Sequence, residues 1–355
     1  MLKARKCVRE MREYHSPLSS DAVNLRLDMN ESTTGCSPRV LAKLNNMDAK
    51  TVALYPRRES GEKLVADSLG LSLAQVLLTN GADEAIDLLC RAYLEPENEI
   101  IVVVPTFTMY EVFAQTENAK VVRVPTGPEF SFPTEGVLQA LTAKTRVVVI
   151  CNPNNPTGVP VARSGIMKIL EAAPDAAILL DEAYYDFYGQ TMIDQIGKLP
   201  NLFITRTFSK VYGLAGLRLG LLAGDQEQMS VLRRMASPFN VNTFAIECVA
   251  EALADREFLA GYVAQVQSTR EWLRHELEQL KFKCWPSQGN FILCRFGEEK
   301  QAILGALRAH GIALRDRPDC EGCVRISIGT QQEMERVVAE LKQVLSRLPA
   351  AKAAR

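Results

Sequence analysis

Thr205-Arg-Thr-Phe-Ser-Lys-Val-Tyr-Gly-Leu-Ala-Gly-Leu-Arg-Leu-Gly220 is the stretch from which the rest of the chain can be read. An apolar run, Leu202, Phe203 and Ile204, leads into it and reads as a short buried strand. Lys210 follows, flanked by the hydroxyls of Thr207 and Ser209, with Arg218 eight residues on. Hydroxyls and a guanidinium are the groups a phosphate needs, and Gly213, Gly216 and Gly220 let backbone approach a ligand closely. A lysine amine held near apolar walls loses affinity for its proton and can form a Schiff base with an aldehyde. Lysine and phosphate cradle together suggest pyridoxal 5′-phosphate.

Working outward, 355 residues exceed the usual size of one core, so two lobes are expected. From about residue 55, short apolar runs alternate with helical spacing, with strands expected at 100–104, 120–124, 146–150, 176–180, 202–205 and 217–222. Runs apolar on both faces indicate a mostly parallel sheet between helices, whose ligands bind beyond the carboxyl ends of the strands. An earlier strand is expected at 25–28. After about 225 long helices dominate, with strands expected at 290–294 and 323–328, and this reads as a smaller α+β lobe. The expected division is an arm at 1–50 that also joins the small domain, a large cofactor-binding domain at 51–235 and a small domain at 236–355.

Composition excludes several classes. A net charge of −1 supplies no field for nucleic acid or an acidic membrane surface. No apolar run approaches a membrane span, and the first residues lack the apolar stretch of a secretory signal. Nine scattered cysteines read as a reduced, cytoplasmic protein rather than a disulfide framework. Cys320 and Cys323 form a lone Cys-x-x-Cys with no second pair, and the three histidines lie far apart, so no metal is expected.

Three further motifs follow expected strands. Asp181-Glu-Ala-Tyr184 ends one of them, where a buried carboxylate could keep a pyridine nitrogen protonated and Tyr184 could reach the ring's phenolic oxygen. Cys151-Asn-Pro-Asn-Asn-Pro-Thr-Gly158 is a turn whose Asn amide could donate to that oxygen. Pro105-Thr-Phe-Thr-Met-Tyr110 offers Tyr110 to stack on the ring. A fourth motif, Asn80-Gly-Ala-Asp-Glu84, opens a helix, where the free N–H groups of Ala82 and Asp83 can bind phosphate.

Together with Leu27-Asp-Met-Asn-Glu31, Tyr55-Pro56 and Val324-Arg-Ile-Ser-Ile-Gly329, these motifs resemble the fold-type-I pyridoxal-phosphate aminotransferases, and within them the histidinol-phosphate aminotransferases, over nearly the whole chain. The resemblance implies an α/β fold with a large domain, built on a mostly parallel sheet between helices, and a smaller α+β domain. It implies a homodimer with shared active sites. It assigns Lys210 the covalent cofactor link, Asp181 the pyridine nitrogen, Asn155 and Tyr184 the ring oxygen, and Tyr110 the ring face. Ala82, Asp83, Thr207, Ser209 and Arg218 hold the cofactor phosphate, and Tyr55 reaches the cofactor of the partner subunit. Tyr14, Asn30, Arg315 and Arg325 are implied at the substrate, an amino donor exchanged against a 2-oxo acid. The chain departs from the family at Ser32-Thr-Thr-Gly35, where Asn-Pro-Tyr-Gly is common, and at Arg57, where Asp is common. Threonine-phosphate decarboxylases and aminotransferases for aromatic and other amino acids share most of the motifs.

Overall fold

The computed structural model describes residues 2–11 and 23–347. Twelve strands run through the described residues: β1 (Leu25–Leu27), β2 (Val76–Asn80), β3 (Glu99–Val104), β4 (Lys120–Pro125), β5 (Thr145–Cys151), β6 (Ala177–Asp181), β7 (Leu202–Thr207), β8 (Leu219–Gly224), β9 (Lys283–Cys284), β10 (Phe291–Arg295), β11 (Ile312–Arg317) and β12 (Cys323–Ser327). Seven make one sheet in the order β2-β8-β7-β6-β5-β3-β4, and five make a second in the order β1-β11-β12-β10-β9.

In the large sheet β4, β3, β5, β6 and β7 are mutually parallel, while β8 runs antiparallel to both β7 and β2. Its strands are apolar on both faces because both are covered. Ile100, Val102, Val147, Val149 and Leu179 pack into one core, and their immediate neighbours Ile101, Val103, Val148, Ile150 and Ile178 pack into the other. Two helices packed against this sheet begin at side-chain caps; Asp225 accepts from the Glu227 amide and Asn242 from the Ala245 amide.

The second sheet is held by the chain's two ends. β1 pairs in parallel with β11, Leu25 against Ile312 and Leu27 against Leu314. Leu27, Phe291, Ile326 and Val337 lie in one core with residues of the long helix Arg256–Gln279. Helix Thr243–Ala254 packs instead against Pro38–Asn45 and Arg58–Leu69, beneath β2 and β8. Sequence reading assigned residues 236–355, this helix included, to the second lobe; in the structure the helix shares a core with β2 and β8 of the large sheet.

Two strands that the sequence reading passed over matter for the site. β2 is a run of Val-Leu-Leu with no alternation, and β11 carries arginines at alternate positions. Residues 217 and 218, expected in a strand, form a tight turn instead, with Arg218 at φ 54 before β8 begins.

Candidate active site

Parallel strands bring their carboxyl ends to one edge, and β3, β5, β6 and β7 deliver Pro105, Asn152, Glu182 and Phe208 there. β2 ends at the same edge, because two antiparallel pairings, through β8, make it parallel to β7. The second sheet stands across from this edge. Between the two lies a cleft of about 820 Å³ whose walls include Asn30, Ala82, Asp83, Tyr110, Asn155, Asp181, Tyr184, Thr207, Ser209, Lys210, Arg218, Arg315 and Arg325.

One end of the cleft is a cradle. The register sets Asn80 opposite Leu219 and Thr207 opposite Gly220, so the helix start at Gly81 and the 207–210 segment flank Arg218. Gly220 makes this possible, since a Cβ there would stand 2.5 Å from the Gly81 carbonyl carbon. Gly81 itself has φ +75, and a Cβ on it would meet the Arg218 guanidinium. The guanidinium thus lies across the first turn of helix Gly81–Tyr93, where amide N–H groups lack intrahelical acceptors. Arg218 Nη2 donates to Asp83 Oδ2 at 3.0 Å. Thr207 and Ser209 are buried beside it, with the Ser209 amide on Thr207 Oγ1 at 3.0 Å. Amides, hydroxyls and a guanidinium converging on one spot form an anion site.

Lys210 enters next to the cradle. Its Nζ donates to the Met29 carbonyl at 3.1 Å. Burial, and then the neighbouring Arg325, bring its pKa down to about 8, so near neutral pH a usable fraction of the amine is free. At the end of β6, Asp181 accepts from the Tyr110 hydroxyl on Oδ2 at 2.6 Å and from the Ala183 amide on Oδ1 at 2.9 Å. Burial raises the Asp181 carboxyl to about 6 against the pull of these donors, which leaves it ionised at pH 7. Tyr110 was expected to stack on a ring; the structure adds that its hydroxyl is a donor to Asp181 and that its own ring meets Phe107 edge-on.

The far wall comes from the second sheet. Arg315 on β11 is the cross-strand partner of Arg325 on β12. Like charges directly opposite on a sheet repel, and an anion between them relieves that. Arg325 Nη1 donates to Asn155 Oδ1 and Nη2 to the Asp28 carbonyl, each at 2.6 Å. Arg325 alternates along β12 with Val324 and Ile326, which lie in the core, and so takes the opposite face. Asn30 bridges the walls. Its Nδ2 donates to the Tyr184 hydroxyl, and its Oδ1 accepts from Ser327 Oγ, both at 2.9 Å.

Tyr55, expected at a partner subunit's cofactor, is 76% exposed and stacks on Phe239 with ring centroids 4.2 Å apart, outside the cleft. Tyr14 lies outside the described residues. Among the lining residues that the sequence reading did not single out is Arg317. It is buried in the wall, forks onto Asp319 and donates to the Thr106 carbonyl, tying the second sheet to the loop after β3. The signal was present, since Arg315 and Arg317 alternate in Ile312–Arg317 and so share a face.

This donor set fits pyridoxal 5′-phosphate. An anion cradle, an amine of lowered proton affinity, a buried carboxylate, and the polar groups Asn155 and Tyr184 line one cleft in that company. A profile for the family described as aminotransferase class I and II matches residues 23–341. The histidinol-phosphate aminotransferase of Dehalococcoides mccartyi (strain ATCC BAA-2266 / KCTC 15142 / 195) is 35% identical over 326 residues, 90% of this chain and 90% of its own. Among solved structures, the histidinol-phosphate aminotransferase from Sinorhizobium meliloti in complex with pyridoxal-5′-phosphate shares the fold with a TM-score of 0.90 at 22% identity, over 98% of this chain and 99% of that one. The L-threonine-O-3-phosphate decarboxylase from Porphyromonas gingivalis has a TM-score of 0.80 at 22% identity, over 91% of this chain and 100% of that one. At such identities these two likenesses speak to the fold alone.

Proposed function

The chain belongs to the class I and II aminotransferases, and from that premise we propose that it transfers an amino group from L-histidinol phosphate to 2-oxoglutarate, with pyridoxal 5′-phosphate as cofactor, as a step of histidine biosynthesis. The observation that carries the substrate is the arginine pair, Arg315 opposite Arg325, on the wall of the cleft that holds Lys210. Guanidinium forks suit phosphate oxygens. Histidinol phosphate has no carboxylate, so its phosphate takes the place that a carboxylate of glutamate takes in the other half of the reaction.

Bound in the cradle, the cofactor supplies an electron sink for the charge left when the substrate α-carbon loses its proton. Lys210 Nζ is the group that carries the cofactor and then takes that proton, and a pKa of about 8 suits an amine that must accept and release protons near neutrality. Asp181, anchored by Tyr110 and Ala183, holds the proton on the ring nitrogen. Asn155, its Oδ1 engaged by Arg325, has its Nδ2 left to donate to the ring oxygen alongside Tyr184. The amides of Ala82 and Asp83, with Thr207, Ser209 and Arg218, hold the cofactor phosphate.

We further place the working enzyme in the cytoplasm as a homodimer. Tyr55 and Phe239 form an exposed aromatic stack, with Leu54 and Phe244 also exposed, and a second copy would cover them and bring Tyr55 to the neighbouring cofactor. Mixing Tyr55→Phe with Lys210→Ala subunits should then restore activity, because one site of the hybrid carries neither lesion. Hybrids that form and stay inactive would remove the shared site. For the substrate, purified enzyme is assayed with 2-oxoglutarate against histidinol phosphate, histidinol, phosphothreonine and phenylalanine. Histidinol phosphate should be preferred and histidinol poor. Carbon dioxide released from phosphothreonine, or a preference for phenylalanine, would overturn the substrate and leave the cofactor reading standing.

A further inference from the structure

Resting on the aminotransferase reading, we propose that Asn30 is a positioning residue that fixes the direction of the Tyr184 hydroxyl, so that the Tyr184 proton is offered to the cofactor's ring oxygen. Four hydrogen bonds carry the argument. Asn30 Nδ2 donates to the Tyr184 hydroxyl at 2.9 Å. Ser327 Oγ accepts from the Asn30 amide at 2.9 Å and gives its single proton to Asn30 Oδ1 at 2.9 Å. The Asn30 carbonyl accepts from Asn290 Nδ2 at 3.1 Å. With Ser327 Oγ donating to Oδ1, the amide nitrogen must be the end that faces Tyr184.

An amide NH₂ group has protons and no lone pair to offer, so the tyrosine oxygen can only accept from it. A hydroxyl that accepts there has its own proton to give elsewhere, and Tyr184 lines the cleft. The arrangement is rigid. Asn30 and Tyr184 are both buried, Asn30 holds φ 55, and the tyrosine ring is pinned edge-on by Phe291 at 5.0 Å. The charged or titratable groups acting on Tyr184 are Arg325, Asp181, Cys151 and Lys210, whose Nζ is 5.9 Å from the ring centroid. None of them replaces the donor that Asn30 supplies to the hydroxyl. Aspartate at the same position has nearly the same shape but only accepts, so it would draw the Tyr184 proton to itself.

The test uses full-length enzyme reconstituted with pyridoxal 5′-phosphate. A donor aimed at the ring oxygen stabilises its deprotonated form, so loss of the donor raises the pH at which the bound cofactor's absorbance titrates. Asn30→Asp should move that midpoint up by about one pH unit and weaken cofactor binding roughly three- to tenfold. Tyr184→Phe should do the same, and adding Asn30→Asp to Tyr184→Phe should change nothing further. A wild-type titration in Asn30→Asp would overturn the proposal. So would an equal shift in the Tyr184→Phe background, which would mark an effect of charge or packing. Should Asn30→Asp not fold by circular dichroism, Ser327→Ala, which removes the hydroxyl donor that orients the Asn30 side chain, should give a smaller shift of the same sign, and no shift would overturn it. Absence of a borohydride-fixed cofactor on wild-type Lys210 would strike the cofactor reading instead, so the two failures are distinguishable.

Discussion

The cofactor cradle and the arginine wall face each other across one cleft but are built in different ways. The cradle comes from turns that directly follow strands of one sheet, and most of its groups fall in two short stretches, residues 80–84 and 205–220. The wall comes from a strand pair in a second sheet, where Arg315 meets Arg325 only because β11 and β12 pair in that register. Nothing near either arginine in sequence names the other as its partner. The proposed cofactor end is therefore specified locally, by turn chemistry, and the proposed substrate end by register. A substitution in the cradle should abolish chemistry for every substrate, whereas one in the wall should change which substrate is used.

The hardest test of this contrast is Lys210→Ala. It should lower kcat on the order of 10⁴-fold for every amino donor while the protein still binds pyridoxal phosphate non-covalently. A loss confined to one donor would erase the distinction between the two regions. Asp181→Asn comes next, with kcat down roughly 10²–10³-fold, again for all donors, because an amide cannot hold the ring proton as a carboxylate does. Near-normal turnover would reduce Asp181 to a cap on the Ala183 amide.

Arg315→Ala sharpens the other side. It should weaken use of histidinol phosphate relative to glutamate by roughly 1–3 kcal/mol in kcat/KM and leave the cofactor spectrum unchanged. Equal losses for both substrates would mean that Arg315 supports the wall without reading the phosphate. The smallest expected effect is on pH. Only the neutral amine captures the aldehyde, and burial brings the Lys210 pKa down to about 8. The rate of cofactor capture by apoenzyme should thus rise about tenfold between pH 7 and 9 and then level off. A rate still climbing beyond pH 10 would show an ordinary, solvated lysine.

Much of this was legible in the chain. Residues 100–104, 146–150 and 202–205 read as buried strands because they are apolar runs, interrupted only at their ends by Arg146 and Thr205, and β3, β5 and β7 occupy them. The long helices expected after about residue 225 include Gln226–Met235 and Thr243–Ala254, and both begin at an Asp or Asn cap. β2 was passed over because an apolar run as short as Val76-Leu-Leu78 can be strand or helix, and only its pairing with β8 decides. β11 was passed over because Arg315, Asp316 and Arg317 make it look like a polar turn, although the fold needs arginines on that face.

Sequence alone singled out groups that stand near one another along the chain, namely Lys210 with its hydroxyls and Arg218, the helix start at Gly81, and Asp181 at a strand end. Those relationships depend on backbone geometry over a few residues, which the chain carries wherever it folds. Only the tertiary structure decided that Arg315 faces Arg325, that Arg317 reaches Thr106, and that Tyr110 donates to Asp181. It also decided that Asn30 links Ser327 to Tyr184, residues 297 and 154 positions away along the chain. Contacts over such distances depend on strand register and on how two lobes close on each other, and no local pattern of residues encodes either.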